Sequence, residues 1–577
     1  MIKKNIEFLR KLFIECGING YFIPSNDKYM SEYVPEYAKR LEYITGFTGS
    51  NGLAVICEDM ALFFTDGRYL EQAARELDLS SFQIFDLKDI YSFPWGNYIK
   101  ENTMLGYDPE LFTYLVKSRL FSNLKTPLHK ITGNLVDQIW ENQPSVPASK
   151  VYLHDIAFAG ISHKEKIEKC RKVLIENSSD TLIITDASSI CWLLNLRASD
   201  VAYSPLMFSL VILTNEQLYL FINSARIDKE IITARPEITI LPENEFENIL
   251  LKNSQKILVD NNFLSIHIMD LIADKEVKKV VDPCQLFKAC KNKIEIQHAI
   301  NFHVNDAVAL CEFFAELDSL NNLSDFTEYE LAEKLTVYRS KQANYISDSF
   351  PTICGFKENS AVIHYQATRQ NAKKIAGEGI LLIDSGGQYL GCTTDITRTI
   401  VIGEPTSEQK KRYTQVLKGH IALANAKFPK SRITGSNLDI LARQYLWQDH
   451  LDYPHSTGHG VGSFLSVHEG PQSISLRNQI ILQPGMILSN EPGYYIPNNF
   501  GIRIENLMYV KENNEWLEFE TLSLVPYAKE LIEGAMLNID QINYIKQYYQ
   551  KIKSKIYSLL SHNAKMWLDK QINFFIE

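Results

Sequence analysis

The chain has 577 residues, 45% apolar and 22% charged, a composition ordinary for a globular protein; at about 150 residues per domain it has room for roughly three to four domains. A formal net charge of −10 argues against nucleic acid or an anionic membrane surface as a partner. Nine cysteines, scattered from Cys16 to Cys392 without a Cys-x-x-Cys spacing, read as reduced thiols of a cytosolic compartment and not as a disulfide framework.

Met1 to Lys11 mixes lysines with isolated apolar residues at helical spacing and lacks the apolar core, roughly 7 to 15 residues long, of a signal peptide. A cytoplasmic protein is expected. Tyr21 to Pro24 is a short apolar strand; Leu41 to Phe47 follows, then strands Gly52 to Cys57 and Met60 to Thr65, ending in Gly67, Arg68 and Tyr69. A proline-interrupted linker is expected near Gln143 to Ser149, around Pro144 and Pro147. Beyond it, Leu182 to Thr185, Ile190 to Arg197, Met207 to Thr214 and Gln217 to Asn223 repeat the earlier order and end in Ala225, Arg226 and Ile227. The repetition suggests a degenerate duplication of one α/β unit. The longest apolar stretch, around Leu206 to Leu213, is too short to span a bilayer. A second linker is expected near Pro283 to Lys293, before an amphipathic helix from about Glu295 to Leu317. In the tail, Ile542 to Leu560 carries apolar residues at 542, 545, 549, 552, 556 and 559, one buried helix face.

The chemistry is concentrated in five segments: LLIDSGGQY (381–389), TTDITRT (393–399), HSTGHGVGSFLSVHEGP (455–471), LSNEPGYY (488–495) and GIRIEN (501–506). They carry Asp384, Asp395, His459, Glu491 and Glu505. Asp384 and Asp395 lie eleven apart on stretches joined by Ser385, Gly386 and Gly387, so a bent hairpin can bring both carboxylates to one place. Glu491 follows a strand-like run and precedes Pro492 and Gly493, and Glu505 alternates with Arg503 between Ile502 and Ile504. Two divalent cations would balance the charge of these four carboxylates. Carboxylates can bridge two ions, whereas one imidazole serves a single ion. The set therefore suggests a two-metal hydrolase, in which a shared water has its pKa lowered from 15.7 toward about 7 and becomes the nucleophile.

In this order the five segments resemble the metallopeptidases of pita-bread fold, and in detail the long, three-domain Xaa-Pro aminopeptidases (aminopeptidase P). The likeness extends to GFTGSNG (46–52), TDGRY (65–69), NLRASDV (195–201) and IHYQ (363–366). The resemblance implies an α/β and α+β chain. Two creatinase-like domains, 1–148 and 149–290, would precede a pita-bread catalytic domain, 291–577, with a C-terminal helical extension. It implies that Asp384, Asp395, His459, Glu491 and Glu505 hold two metal ions, with Glu505 bridging. Glu491 would be the general base, passing a proton from the attacking water to the departing proline nitrogen. His468 would donate a hydrogen bond to the scissile carbonyl or its oxyanion. His364 would line the proline pocket or relay protons, and His455 would shape that pocket or orient the metal ligands. Arg503 is expected to hold Glu505 by paired hydrogen bonds. Arg68, in a lid-like segment, is expected either to touch substrate or to form a surface ion pair.

Four oxygen donors and one imidazole favour harder ions such as manganese over zinc, although cobalt, iron and zinc fit the same geometry, and the resemblance implies manganese. The partners implied are peptides with proline second and a second copy of the chain. Alternatives are a prolidase acting on dipeptides, a methionine aminopeptidase, and an inactive binding protein on the same scaffold. A methionine aminopeptidase would lack both upstream domains and a prolidase would usually have one, whereas this chain has room for two.

Overall fold

A computed structural model describes residues 2–100, 103–320 and 322–576. Its chain divides into two compact units, Met1–His154 with Ser162–Cys284, and Asp155–Ile161 with Gln285–Glu577.

The first unit contains two six-stranded sheets of one topology. In the first, β1 (Gly20–Pro24), β2 (Leu53–Cys57), β3 (Ala61–Thr65), β4 (Phe82–Asp86), β5 (Leu105–Tyr107) and β6 (Leu128–Lys130) lie in the order β4-β3-β2-β1-β5-β6. The second has β7 (Thr181–Ile184), β8 (Leu210–Thr214), β9 (Leu218–Phe221), β10 (Ile238–Leu241), β11 (Lys256–Val259) and β12 (Glu276–Lys279) in the order β10-β9-β8-β7-β11-β12. In both, the first three strands pair antiparallel and the remaining pairs are parallel. β1, β2 and β3 are buried along their whole length, which explains why they read as unbroken apolar runs without alternation. Between the first and second strands of each repeat, Leu41 to Phe47 and Ile190 to Arg197 fall mainly on a helix, Arg40–Thr45 and Ala187–Leu194, and each helix stops at a left-handed residue, Gly46 (φ 80°) and Asn195 (φ 49°). The duplication read from the sequence is therefore one of topology, extending to the helix caps.

Residues 143–150 form no regular element. The stretch expected as a second linker is instead largely helical, Pro283–Ala289. The Asp282 carboxylate accepts the Cys284 amide at 2.9 Å, so Pro283 occupies the first helical position, where its missing N–H and fixed φ start a helix.

The second unit opens with α1 (Lys293–Ser319), started by a reciprocal cap between Asn292 and Glu295, followed by α2 (Glu328–Ser340). β13 (Ile353–Phe356), β14 (Gly379–Ser385) and β17 (Ile396–Ile402) form one antiparallel sheet, and between β14 and β17 runs the short ribbon β15 (Gly387–Tyr389) and β16 (Cys392–Thr393). After α3 (Ser407–Ala424), β18 (Lys427–Pro429) and α4 (Gly435–Trp447) come β19 (Gly458–Gly460), β20 (Glu469–Ile474) and β21 (Ile487–Asn490). The hairpin β22 (Gly493–Ile496) and β23 (Phe500–Arg503) follows, then β24 (Asn506–Asn513) and β25 (Trp516–Thr521). The larger sheet has the order β18-β25-β24-β21-β19-β20. Of the tail, α5 (Ile539–Ile556) buries Ile545, Tyr549, Ile552 and Ile556 as its spacing indicates. Leu559 is 55% exposed, because the helix tightens into a 3₁₀ turn at Tyr557–Leu559 and carries that side chain off the buried face; α6 (His562–Ile576) follows. Among the described residues no helix is long and apolar enough to cross a membrane.

Candidate metal centre

Two carboxylates come from the bent ribbon. β14 and β17 pair with Asp384 opposite Thr397 and Ser385 opposite Ile396, so Asp384 and Asp395 lie at one end of the pair. At the bend, a Cβ on Gly386 would sit 1.9 Å from the Thr394 carbonyl oxygen, so only glycine lets the ribbon fold back there. β19 and β21 supply the next two groups. The His459 amide donates to Ser489 Oγ at 2.9 Å, and that hydroxyl donates to Glu491 Oε1 at 3.0 Å. His459 Nδ1 donates to the Gly460 carbonyl at 2.9 Å, which leaves Nε2 as the lone-pair nitrogen. The fifth group, Glu505, lies between β23 and β24; its Oε2 accepts from Thr397 Oγ1 at 2.8 Å.

Asp395, His459 and Glu505 each offer a ligand atom within 4.8 Å of the others. His459 Nε2 is 3.4 Å from Asp395 Oδ2 and 3.5 Å from Glu491 Oε1, which adds Glu491 to the cluster. Asp384 joins through the field: burial first, then the charges of Asp384 and Glu491, hold the Asp395 carboxyl well above its ordinary range. Burial and Asp395, Asp384 and Glu491 do the same to Glu505. Asp384 Oδ1, Asp395 Oδ1 and Glu505 Oε1 are buried with no hydrogen-bond partner. Orphaned carboxylate oxygens in a repelling cluster are costly unless cations satisfy them. The donor set, oxygen-rich with one imidazole nitrogen, fits hard divalent ions.

Arg503 differs from expectation. Its Nη2 donates to Asp384 Oδ2 at 2.7 Å and to the Ile363 carbonyl at 3.3 Å, its Nε to Thr397 Oγ1 at 3.2 Å and its Nη1 to the Tyr495 hydroxyl at 2.8 Å. It holds Asp384 and not Glu505, because the Thr397 hydroxyl stands between, accepting from Arg503 and donating to Glu505.

His455 Nδ1 donates to the Ser456 carbonyl at 2.8 Å, so its Nε2 accepts from the Tyr495 hydroxyl at 2.9 Å. A chain of hydrogen bonds thus runs from Asp384 through Arg503 and Tyr495 to half-exposed His455. The His468 ring lies edge-on to His459, centroids 4.3 Å apart at 87°. His364 is half-buried and follows Ile363, whose carbonyl Arg503 grips. Arg68 is bound in a fork by Asp66 at 2.9 and 2.8 Å within the first unit. Thr397, Ser489 and Tyr495 are site residues that sequence reasoning did not single out. Strand alternation pointed to the first two, each two residues from a candidate ligand. Nothing local pointed to Tyr495.

Four family models match the chain. The Creatinase/Prolidase N-terminal domain matches twice, at 6–138 and 142–295; Metallopeptidase family M24 matches 302–512, and the C-terminal region of peptidase M24 matches 515–574. Xaa-Pro aminopeptidase 1 of Dictyostelium discoideum is 38% identical over 610 aligned positions, covering 99% of this chain and 96% of its own. A probable Xaa-Pro aminopeptidase P of Laccaria bicolor is 36% identical over 98% of this chain and 92% of its own. Among solved structures, X-prolyl aminopeptidase from Caenorhabditis elegans, described as a cytosolic enzyme with a di-nuclear active site, superposes with a TM-score of 0.94 at 31% identity over 99% of both chains. A prolidase from Pyrococcus horikoshii, 26% identical, covers 63% of this chain and 99% of its own with a TM-score of 0.52.

Proposed function

This chain belongs to the Xaa-Pro aminopeptidases of metallopeptidase family M24, and from that premise we propose that it hydrolyses the bond between an N-terminal residue and a following proline. The observation that carries the reading is the likeness along the whole chain, through both creatinase-like domains and the catalytic domain. A prolidase likeness covers less than two thirds of it.

Asp384, Asp395, His459, Glu491 and Glu505 are the side chains we assign to two divalent ions, manganese first, with cobalt, zinc and iron fitting the same donors. When bound, such ions supply Lewis-acid polarisation and a water acidic enough to act near neutral pH. Glu491, one oxygen fixed by Ser489, takes the proton of the attacking water and delivers it to the proline nitrogen. That delivery matters because the tertiary amide nitrogen carries no hydrogen of its own and must be protonated to leave. His468 donates to the carbonyl oxygen as charge develops there. His364 and His455 flank the proline ring, and Arg503 keeps Asp384 in place through the charge-assisted bond from its Nη2. Arg68 remains a candidate substrate contact. The same reading makes the protein a cytoplasmic homodimer, checked by fractionation and by a gel-filtration mass twice that of the chain.

Ala-Pro-Ala, Ala-Pro and Met-Ala-Ser, assayed in parallel with and without manganese, test the activity. Release of alanine from Ala-Pro-Ala alone supports the proposal. Cleavage confined to Ala-Pro points to a prolidase, cleavage of Met-Ala-Ser to a methionine aminopeptidase, and no cleavage of any to an inactive scaffold.

A further inference from the structure

Behind His468 lies a buried charge cluster that the chemistry above does not use. Glu469, the first residue of β20, has a side chain only 1% exposed, and it meets two lysine side chains that are also 1% exposed. Lys291 Nζ bonds Glu469 Oε1, and Lys288 Nζ lies 3.4 Å from Oε2. Both lysines belong to the chain segment expected as a linker, Lys288 on the helix Pro283–Ala289 and Lys291 just beyond it. This segment is anchored: the Lys291 amide donates to the Gly485 carbonyl at 3.0 Å, and Cys290 bridges Met486.

Two buried lysine side chains facing one buried carboxylate are a costly arrangement that apolar side chains of the same shape would avoid. Its location suggests what it does. Glu469 pairs in register with Gly460, the residue after His459, and a Cβ on Gly460 would meet the Glu469 carbonyl oxygen at 2.2 Å. On the other side of His468, the loop is tied at Leu465, whose carbonyl accepts from Gln388 Nε2 at 2.8 Å and from Thr393 Oγ1 at 3.2 Å. His468 is thus carried on a short span fixed at both ends, and its ring orientation against His459 depends on where Glu469 is held.

We propose that Lys288 and Lys291 act through Glu469 as positioning residues for His468, fixing the imidazole that donates to the scissile carbonyl. This rests on the reading of His468 as that donor.

A double-mutant cycle on the full-length, manganese-loaded enzyme tests it, with Ala-Pro-Ala as substrate. Glu469→Gln keeps the shape and removes the charge; it should lower kcat about 10- to 100-fold, the usual range for groups that orient a site, with KM and bound manganese changed less than about two-fold. In a His468→Ala background, itself impaired in kcat, the same substitution should change kcat less than about two-fold, because the group it positions is gone. Equal losses in both backgrounds, or a loss that follows manganese content, would overturn the proposal. Should Glu469→Gln not fold, Lys288→Met carries the same cycle with the same two outcomes. A His468→Ala enzyme with wild-type kcat would instead overturn the role of His468 itself, and the positioning proposal with it.

Discussion

The Thr397 hydroxyl stands between the Arg503 guanidinium that grips Asp384 and the carboxylate of Glu505, so Thr397→Val is the most informative small perturbation of the site. The residue is fully buried, and valine keeps its shape while deleting a bond to Glu505 Oε2 at 2.8 Å and one from Arg503 Nε at 3.2 Å. Arg503 keeps three other acceptors, whereas Glu505 Oε2 loses its donor. A hydrogen bond to a charged group contributes about 1.5–3 kcal/mol. In the metal-free protein, burial and neighbouring charge raise the Glu505 carboxyl and favour its protonated form, which has less to lose. With cations bound it is a carboxylate and needs the donor. The cost therefore falls on ion binding, and at about 1.4 kcal/mol per factor of ten the affinity for manganese should drop about 10- to 100-fold. Isothermal titration of manganese into chelator-stripped protein measures this. Thr397→Ser, which restores the hydroxyl, should recover most of the affinity. Wild-type affinity in Thr397→Val, or a Thr397→Ser protein as weak as the valine variant, would show that the hydroxyl does not support the Glu505 carboxylate when cations bind.

Other expectations follow from the same geometry. Burial and mutual repulsion hold the Asp395 and Glu505 carboxyls above their ordinary range in the metal-free chain, so above the unfolded carboxylate range near about 4 the folded state binds more protons than the unfolded one. Metal-free stability of the catalytic unit should accordingly fall as pH rises from there, and the gain in Tm on adding manganese should be larger at about pH 7 than at about pH 5; a gain independent of pH would contradict this. Arg503→Lys keeps the charge but cannot hold Asp384, Tyr495, Thr397 and Ile363 at once, so kcat/KM on Ala-Pro-Ala should fall about 10- to 100-fold. Gly386→Ala forces a methyl to 1.9 Å from a carbonyl oxygen, which should cost about 3 kcal/mol and appear as a lower Tm of the catalytic unit together with lost metal content.

Much of this was legible in the sequence because the signals are local. The apolar run ending at Asp384, the Ser385-Gly386-Gly387 bend and the Thr-rich return describe a ribbon by themselves, and the two N-terminal domains show themselves as one strand order repeated. What escaped depends on contacts between elements. Arg503 and Glu505 are neighbours in sequence, yet the guanidinium turns to Asp384, 119 positions away, because Thr397 from β17 occupies the space between them. Pro283 opens the stretch expected as a second linker, yet after Asp282 it starts a helix. Periodicity carried the buried face of α5 on to Leu559, beyond the point where the helix tightens. The partners of Glu469, Lys288 and Lys291, gave no sign at all, since each is an ordinary surface residue type until the fold buries it.

Titration of manganese into chelator-stripped protein, with Ala-Pro-Ala cleavage read on the same samples, tests whether five side chains hold two cations that serve hydrolysis before proline. Two equivalents bound per chain, with alanine release rising as the sites fill and both abolished by His459→Ala, is the expected result. Full activity in the stripped protein, or no stoichiometric binding, would contradict it.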